Sequence, residues 1–220
     1  MRTLHVPGFE APLHVGKLLC IGRNYEKHAA EMRSEVPGEP MIFLKPSTAI
    51  VRSGGDIVIP RQSSEVHHEV ELVVVIGRGG REIPESQAMD HVAGYAVGLD
   101  MTARDIQARA KEKGHPWTVA KGFDTFAPLG EFVPATTVPD PARLTIRLIV
   151  NGSTRQEGHT GDMIFPVAHL VSYCSTIFTL EPGDLIYTGT PEGVGPVVPG
   201  DRLVASIADW PLLEVGVRQG

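Results

Sequence analysis

Apolar positions along the chain come in short runs and alternations. Eight segments rich in Val, Ile or Leu and bounded by Gly, Pro, Asn or Asp predict strands: Lys17–Gly22, Met41–Lys45, Asp56–Ile59, Val70–Ile76, Val92–Leu99, Leu144–Val150, Asp184–Thr188 and Arg202–Ile207. Pro182-Gly183-Asp184 and Pro199-Gly200-Asp201 are turn signals just ahead of the last two. Helical pattern is confined to three places. Tyr25–Arg33 is short and polar and precedes a loop, Ser34–Pro40, dense in charge, Pro and Gly. Thr102–Lys113 has Thr102 in a capping position, Asp105 three residues on and Gly114 past its end. Phe165–Thr176 carries apolar residues near helical spacing. With no repeat, linker, G-x-G-x-x-G or Walker loop, the pattern predicts a single α+β, mostly β domain over residues 1–220 with a few short helices.

Composition agrees with many short strands: 24 Gly and 18 Pro in 220 residues, and only 6% aromatics. A net charge of -6 argues against nucleic acid as a partner. Mean hydropathy is -0.01, and the longest aliphatic run, Leu72–Ile76, is far too short to span a bilayer, so no membrane partner is expected. The first residues show no apolar signal pattern, and Cys20 and Cys174 form neither a disulfide framework nor a C-x-x-C pair, which points to the cytoplasm.

The most informative segment is Val66–Ile76. In a strand, Glu69 and Glu71 share a face that continues with Val73 and Val75, while Val70, Leu72, Val74 and Ile76 take the other. Both faces turn apolar, so the strand runs into a core on both sides. Two carboxylates on Cα atoms roughly 7 Å apart at its mouth repel each other and need a cation or a proton. Asp100 ends the run Val92–Leu99, on a face with the small residues Gly94, Ala96 and Gly98, where a neighbouring strand or a ligand can come close. Alone, Asp100 reads equally as a helix cap, and Glu69 and Glu71 as a solvated pair. Together, three carboxylates favour Mg²⁺ or Mn²⁺ over zinc. His67 and His68 read as packing or supporting residues.

The chain resembles the fumarylacetoacetate hydrolase family. The resemblance rests on Gly22-Arg-Asn-Tyr-Glu-Lys-His28, Phe43-Leu-Lys-Pro46, His68-Glu-Val-Glu-Leu72, Gly98-Leu-Asp-Met-Thr-Ala-Arg-Asp105, Trp117-Thr-Val-Ala-Lys-Gly122 and Tyr187-Thr-Gly-Thr-Pro-Glu-Gly-Val-Gly195, in the family's order. It implies a mixed β-roll, a homodimer, and the small acylpyruvase and oxaloacetate decarboxylase branch. It also implies Glu69, Glu71 and Asp100 as metal ligands, and Lys121, His28 and Glu31 as catalytic residues, the last two forming a water-activating pair on a helix able to close as a lid. Arg23, Lys45, Arg104, Gln107 and Thr190 are the substrate-binding candidates. Arg104 and Gln107, three apart, share a helix side, and the Gly-rich loop around Thr190 suits a carboxylate.

The expected activity is therefore metal-dependent C–C bond cleavage of a small-molecule 2-oxo acid, by acylpyruvate hydrolysis or oxaloacetate decarboxylation. A 5-carboxymethyl-2-hydroxymuconate-type isomerase is the alternative. A non-catalytic metabolite-binding protein fits poorly with so complete a set of polar residues.

Overall fold

Strand Val70–Ile76 is buried at every position and lies inside a large mixed sheet. The sheet order is Met41–Lys45, Leu18–Gly22, Leu185–Tyr187, Val70–Ile76, Val92–Leu99, Ala127–Leu129 and Ile50–Arg52, with Val133–Pro134 also paired to Val92–Leu99. This computed structural model describes residues 3–32 and 34–220. As expected, both faces of the central strand meet apolar layers. Val70, Leu72, Val74 and Ile76 join one core with Tyr95, Val97 and Leu99. Val73 and Val75 join another with Cys20, Ala96 and Tyr187. Each fully buried aliphatic side chain is worth about 1.5–3 kcal/mol over its exposed state, so this strand can sit in one register only.

A second sheet, ordered Ser153–His159, Thr145–Val150, Arg202–Ile207, Leu213–Gln219 and Asp56–Ile59, packs one face on the first core. Its inward residues alternate strictly: Ile146, Leu148 and Val150 on one strand, Leu203, Ala205 and Ile207 on the next. A small third sheet joins Thr102–Ala103, Val66–His68 and Gly195–Val197.

The third sheet explains the site. The antiparallel pair formed by Val70–Ile76 and Val92–Leu99 continues past Glu69 and Asp100 as the pair Val66–His68 and Thr102–Ala103. Both chains change sheet at the same level, where Asp100 N–H donates to Glu69 O at 2.8 Å. Glu69 thus lies at a bend between strands, where the sequence pattern had placed it in a continuous one.

The helices differ from expectation in their starts. Helix α1 is Glu26–Glu31, and Arg33, the anticipated end, lies outside the described residues. Helix α2 is Arg104–Lys113, because Thr102 and Ala103 are held in the third sheet. Thr102 consequently does not cap it: its hydroxyl donates to Asp100 O at 3.3 Å. Gly114 ends α2 in the left-handed region, φ 64°, as expected. Helix α3, Thr118–Lys121, is one unanticipated turn, and α4, Val167–Ile177, starts after Pro166 rather than at Phe165. No helix among the described residues is long and apolar enough to cross a membrane.

Candidate active site and metal centre

Glu69, Glu71 and Asp100 are buried, and one oxygen from each lies within 4.8 Å of the others. The two bends supply Glu69 and Asp100, and the second residue of the central strand is Glu71. The small residues near Asp100 face protein, not a ligand. A Cβ on Gly98 would stand 2.6 Å from Val73 Cγ2 and 2.8 Å from Tyr187 Cε1, and one on Gly94 would meet Val133 O at 2.4 Å.

Three cations balance the acids. Lys121, at the end of α3, donates from Nζ to Glu69 Oε2 at 2.8 Å and Asp100 Oδ2 at 2.6 Å, over the Phe43 ring. Arg104, at the start of α2, donates to Glu69 Oε1 and, at 2.8 Å, to Gln107 Oε1. Lys45 was expected to touch substrate, but the structure places it behind the acids. Its Nζ donates to the carbonyls of Met101 (2.9 Å), Lys121 (2.5 Å) and Phe126 (2.9 Å). An ammonium has three protons, all spent here. Its 2.6 Å approach to Asp100 Oδ1 is therefore a contact of charges without a directed proton.

The acids respond unequally to this environment. Burial pushes the Glu71 carboxyl well above the ordinary range, reinforced by the charges of Asp100 and Glu69, and the Gly189 N–H at 2.9 Å offsets this only in part. Burial pushes Glu69 the same way, but Lys121 and Arg104 outweigh it and hold Glu69 well below. Burial would lower Lys121, yet Asp100 and Glu69 raise it, so it remains an ammonium. Asp100 Oδ1 is buried with no hydrogen-bond donor. A carboxylate oxygen that meets the Lys45 charge but accepts no hydrogen bond, and a neighbouring glutamate that resists ionising unaided, fit a hard divalent cation held by Glu69, Glu71 and Asp100.

Helix α1 and the loop Thr188–Gly195 close the other side. His28 is buried, and burial lowers its pKa against the opposing pull of Glu69 and Glu31, leaving a neutral imidazole near pH 7. Its Nδ1 stands 3.5 Å from Glu31 Oε2 without an aligned hydrogen bond. Both Glu31 oxygens instead accept from Gly193 N–H, at 3.1 and 3.2 Å. Gly189, at φ 97°, brings its N–H to Glu71 where a Cβ would meet Asn24 Cβ at 2.6 Å, so only glycine fits.

Thr190 is buried in the same loop, and its hydroxyl accepts from Gln156 Nε2 at 2.8 Å. Gln156 was not anticipated. Its Oε1 accepts from Val70 N–H at 3.0 Å and lies 2.9 Å from His68 Nδ1. A backbone N–H can only donate, which settles the amide's orientation and puts the His68 proton on Nδ1. Gln156 comes from Ser153–His159, an outer strand whose other residues are exposed or partly so, and no apolar alternation marked it.

All the anticipated residues except Glu31 and Lys45 line one cleft. Glu31 stands beside it through His28, and Lys45 beneath it. The cleft adds Phe43, Trp117 and Lys111, of which Lys111 had a legible signal: it is seven residues after Arg104 on α2 and thus on the same side.

The fumarylacetoacetate (FAA) hydrolase C-terminal family model matches residues 17–218. The Arabidopsis thaliana protein named oxaloacetate tautomerase FAHD1, mitochondrial, is 56% identical over 191 residues, covering 87% of this chain and 86% of that one. The Homo sapiens protein of the same name is 53% identical over 190 residues, with 86% of each covered. Among solved structures, fumarylpyruvate hydrolase from Pseudomonas aeruginosa in complex with Mn²⁺ and pyruvate superposes with a TM-score of 0.94 at 44% identity, covering 100% of this chain and 96% of that one. A 5-carboxymethyl-2-hydroxymuconate delta-isomerase from Mycobacterium smegmatis reaches 0.84 at 40% identity, covering 96% and 81%. The family match runs through every segment that builds the cleft, from Arg23 to Thr190, and this chain belongs to the fumarylacetoacetate hydrolase family of enzymes.

Proposed function

We propose that the enzyme uses Mg²⁺ or Mn²⁺ to break the C3–C4 bond of small 2-oxo acids, by acylpyruvate hydrolysis, oxaloacetate decarboxylation or both. The observation that carries this reading is the convergence of three buried carboxylates beside a cleft that also holds a charged lysine, an arginine and a neutral histidine. When bound, the ion supplies Lewis acidity toward the 2-oxo acid and its enolate. The chain's own groups supply the rest. Arg104, the Gln107 amide protons and the Thr190 hydroxyl are placed to hold the substrate carboxylate. The Lys121 ammonium offsets negative charge as it develops on the 2-oxo oxygen. In hydrolysis, neutral His28 takes a proton from the attacking water, with Glu31 positioning the helix that carries it. Decarboxylation needs no such base, because loss of CO₂ leaves the same enolate.

Isomerisation of a hydroxymuconate, and the tautomerisation in the names of the curated relatives, require only proton transfer at an enolisable carbon, which His28 also serves. A spectrophotometric panel of acetylpyruvate, oxaloacetate and a hydroxymuconate decides among them. It is run on protein stripped with EDTA and on protein reloaded with Mg²⁺ or Mn²⁺. Cleavage of the first two only after reloading is expected. Full activity in stripped protein would remove the metal from the reading, and proton exchange without cleavage would make the enzyme an isomerase.

A further inference from the structure

A recess that shares no residue with the active cleft lies between strand Val92–Leu99, the segment 135–142 and the start of α4. Its walls are apolar, with Val138, Met163 and Ala168 between the rigid rings of Pro139, Pro141 and Pro166. Two polar features open onto it. Tyr95 lines it and is 1% exposed, and its hydroxyl makes no hydrogen bond to any described residue. Burial and the Asp140 charge push its pKa up to about 12, so it stays a phenol able to give and to take a hydrogen bond. The second feature is the N-terminus of α4. Pro166 supplies no side-chain cap, and Val167 and Ala168, whose N–H groups have no acceptor within the helix, line the recess. The Thr160 hydroxyl, by contrast, is spent on Leu144, accepting from its N–H at 3.0 Å and donating to its carbonyl at 3.3 Å. Charge narrows the choice of ligand. Asp90 and Asp140 also line the recess, and among the described residues no Lys, Arg or His does. Asp140 Oδ1 accepts from Ala142 N–H at 3.0 Å, and its Oδ2 lies 3.1 Å from Nε of the exposed Arg143. The acids disfavour an anion, and the positive end of the α4 dipole disfavours a cation.

We propose that this recess is a second binding site, for an uncharged aromatic molecule carrying one amide or hydroxyl group. The ring packs among the prolines and against Met89 and Met163, whose thioethers favour aromatic partners. Its polar group bridges the Tyr95 hydroxyl and the first-turn amides of α4. The site rejects carboxylates, so the anionic substrates of the cleft do not compete for it. The same wall serves α1. Met163 pairs with Tyr25, Ile164 N–H donates to Asn24 O at 2.9 Å, and the Asn24 amide both donates to and accepts from the Phe165 backbone. A ligand seated against Met163 and Pro166 braces the segment that pins the helix carrying His28.

The test is an NMR titration of Mg²⁺-loaded protein with benzamide and benzoate, two probes of one shape that differ in charge. Trp210 stacks on Tyr95 with centroids 6.3 Å apart, and with only two tryptophans in the chain its indole N–H is a resolved reporter. Benzamide should shift that peak with a Kd of about 1 mM, the scale of so small a fragment. Benzoate should bind about 5-fold more weakly, and Tyr95→Phe should weaken benzamide by about the same factor. Thermal stability should not fall in Tyr95→Phe, because the lost hydroxyl has no partner. Ala168→Trp fills the recess and should abolish binding. Benzamide at about five times its Kd should slow amide exchange at Ile164 and Phe165 by up to about sixfold, the limit set by mass action. An unmoved Trp210 peak, equal binding of benzoate, or benzamide binding unchanged in both variants would overturn the site. A dimer turned into a monomer by Ala168→Trp would make the recess an interface between copies and overturn it too. Binding without slower exchange would overturn the link to α1.

Discussion

The Thr190 hydroxyl accepts from Gln156 Nε2, so its own proton is directed to another acceptor, and Thr190 lines the cleft. Gln156→Glu keeps the shape but reverses this polarity, since a carboxylate can only accept. The Thr190 proton is then drawn away from the substrate. KM for the best 2-oxo acid should rise about 5–10-fold, the scale of one lost hydrogen bond to a charged group. Metal affinity by calorimetry should not follow. A parallel loss of metal affinity and thermal stability would make the network structural only. Arg23 makes a second residue-scale case. It is held at φ 58°, a left-handed conformation that costs a residue with a Cβ roughly 1–2 kcal/mol. Arg23→Gly relieves that strain and incurs roughly 0.5–1 kcal/mol of glycine entropy. Thermal stability should therefore hold or rise slightly while kcat/KM falls, and a clear drop in stability would show that Arg23 serves the fold. At Glu71, burial beside two other acids makes ionisation unfavourable, so Glu71→Gln should raise the melting temperature of metal-free protein. The same change should weaken metal binding and activity by about 10²-fold or more, since it removes a direct ligand where even supporting contacts count 10–100-fold.

Helix α1 has only six residues and is too short to persist alone, so tertiary contacts hold it. Asn24, just before it, donates to Phe165 O at 3.0 Å and Thr188 O at 2.7 Å and accepts from Phe165 N–H at 2.7 Å. At its far end Glu31 is latched to Gly193. The helix is thus pinned at its base and latched at its tip, with buried His28 between. We propose that this separates two roles that the family resemblance assigned to a single pair. His28→Ala should cut acylpyruvate hydrolysis by about 10²–10⁴-fold, as for a lost general base, and oxaloacetate decarboxylation by less. Glu31→Ala should lower both by similar factors and speed amide exchange at Gly193, because closure serves both reactions. The opposite pattern would make Glu31 a partner in water activation. The acid limb of the hydrolysis profile should lie below pH 6.5, since burial lowers the His28 pKa. The sign for stability is the same: the unfolded chain binds the proton first as pH falls. The contribution is complete above about pH 6.5 and is lost as pH drops through the folded value.

For the whole molecule, strand Met41–Lys45 forms one edge of the large sheet, and edges left open invite pairing with another chain. Leu44 on that edge is 45% exposed and Ile177 of α4, across a groove lined also by Pro116 and Tyr173, is 49% exposed. We propose that a second copy covers this face in the homodimer that the family resemblance implies. Sedimentation should show a dimer for the wild type and a monomer for Leu44→Asp, and a dimer unchanged by that substitution would place the interface elsewhere.

Much of this protein is written locally. Val70–Ile76 announces a strand buried on both faces because hydrophobic period and burial are the same physical fact read twice. Gly114 marks the end of α2 because only a left-handed residue ends it there, and Glu69, Glu71 and Asp100 stand out as acids beside apolar runs. Other features exist only through contacts between distant parts of the chain. Thr102 carries a capping residue's chemistry but is drawn into a sheet by His67. Lys45 looks like a binding lysine, yet carbonyls from 56, 76 and 81 residues away take its protons. Gln156, on a polar strand without pattern, turns Thr190 toward the cleft across 34 residues. Local periodicity records which side of an element is buried, whereas a charge or an amide is given its role by whichever partner the folded chain brings to it.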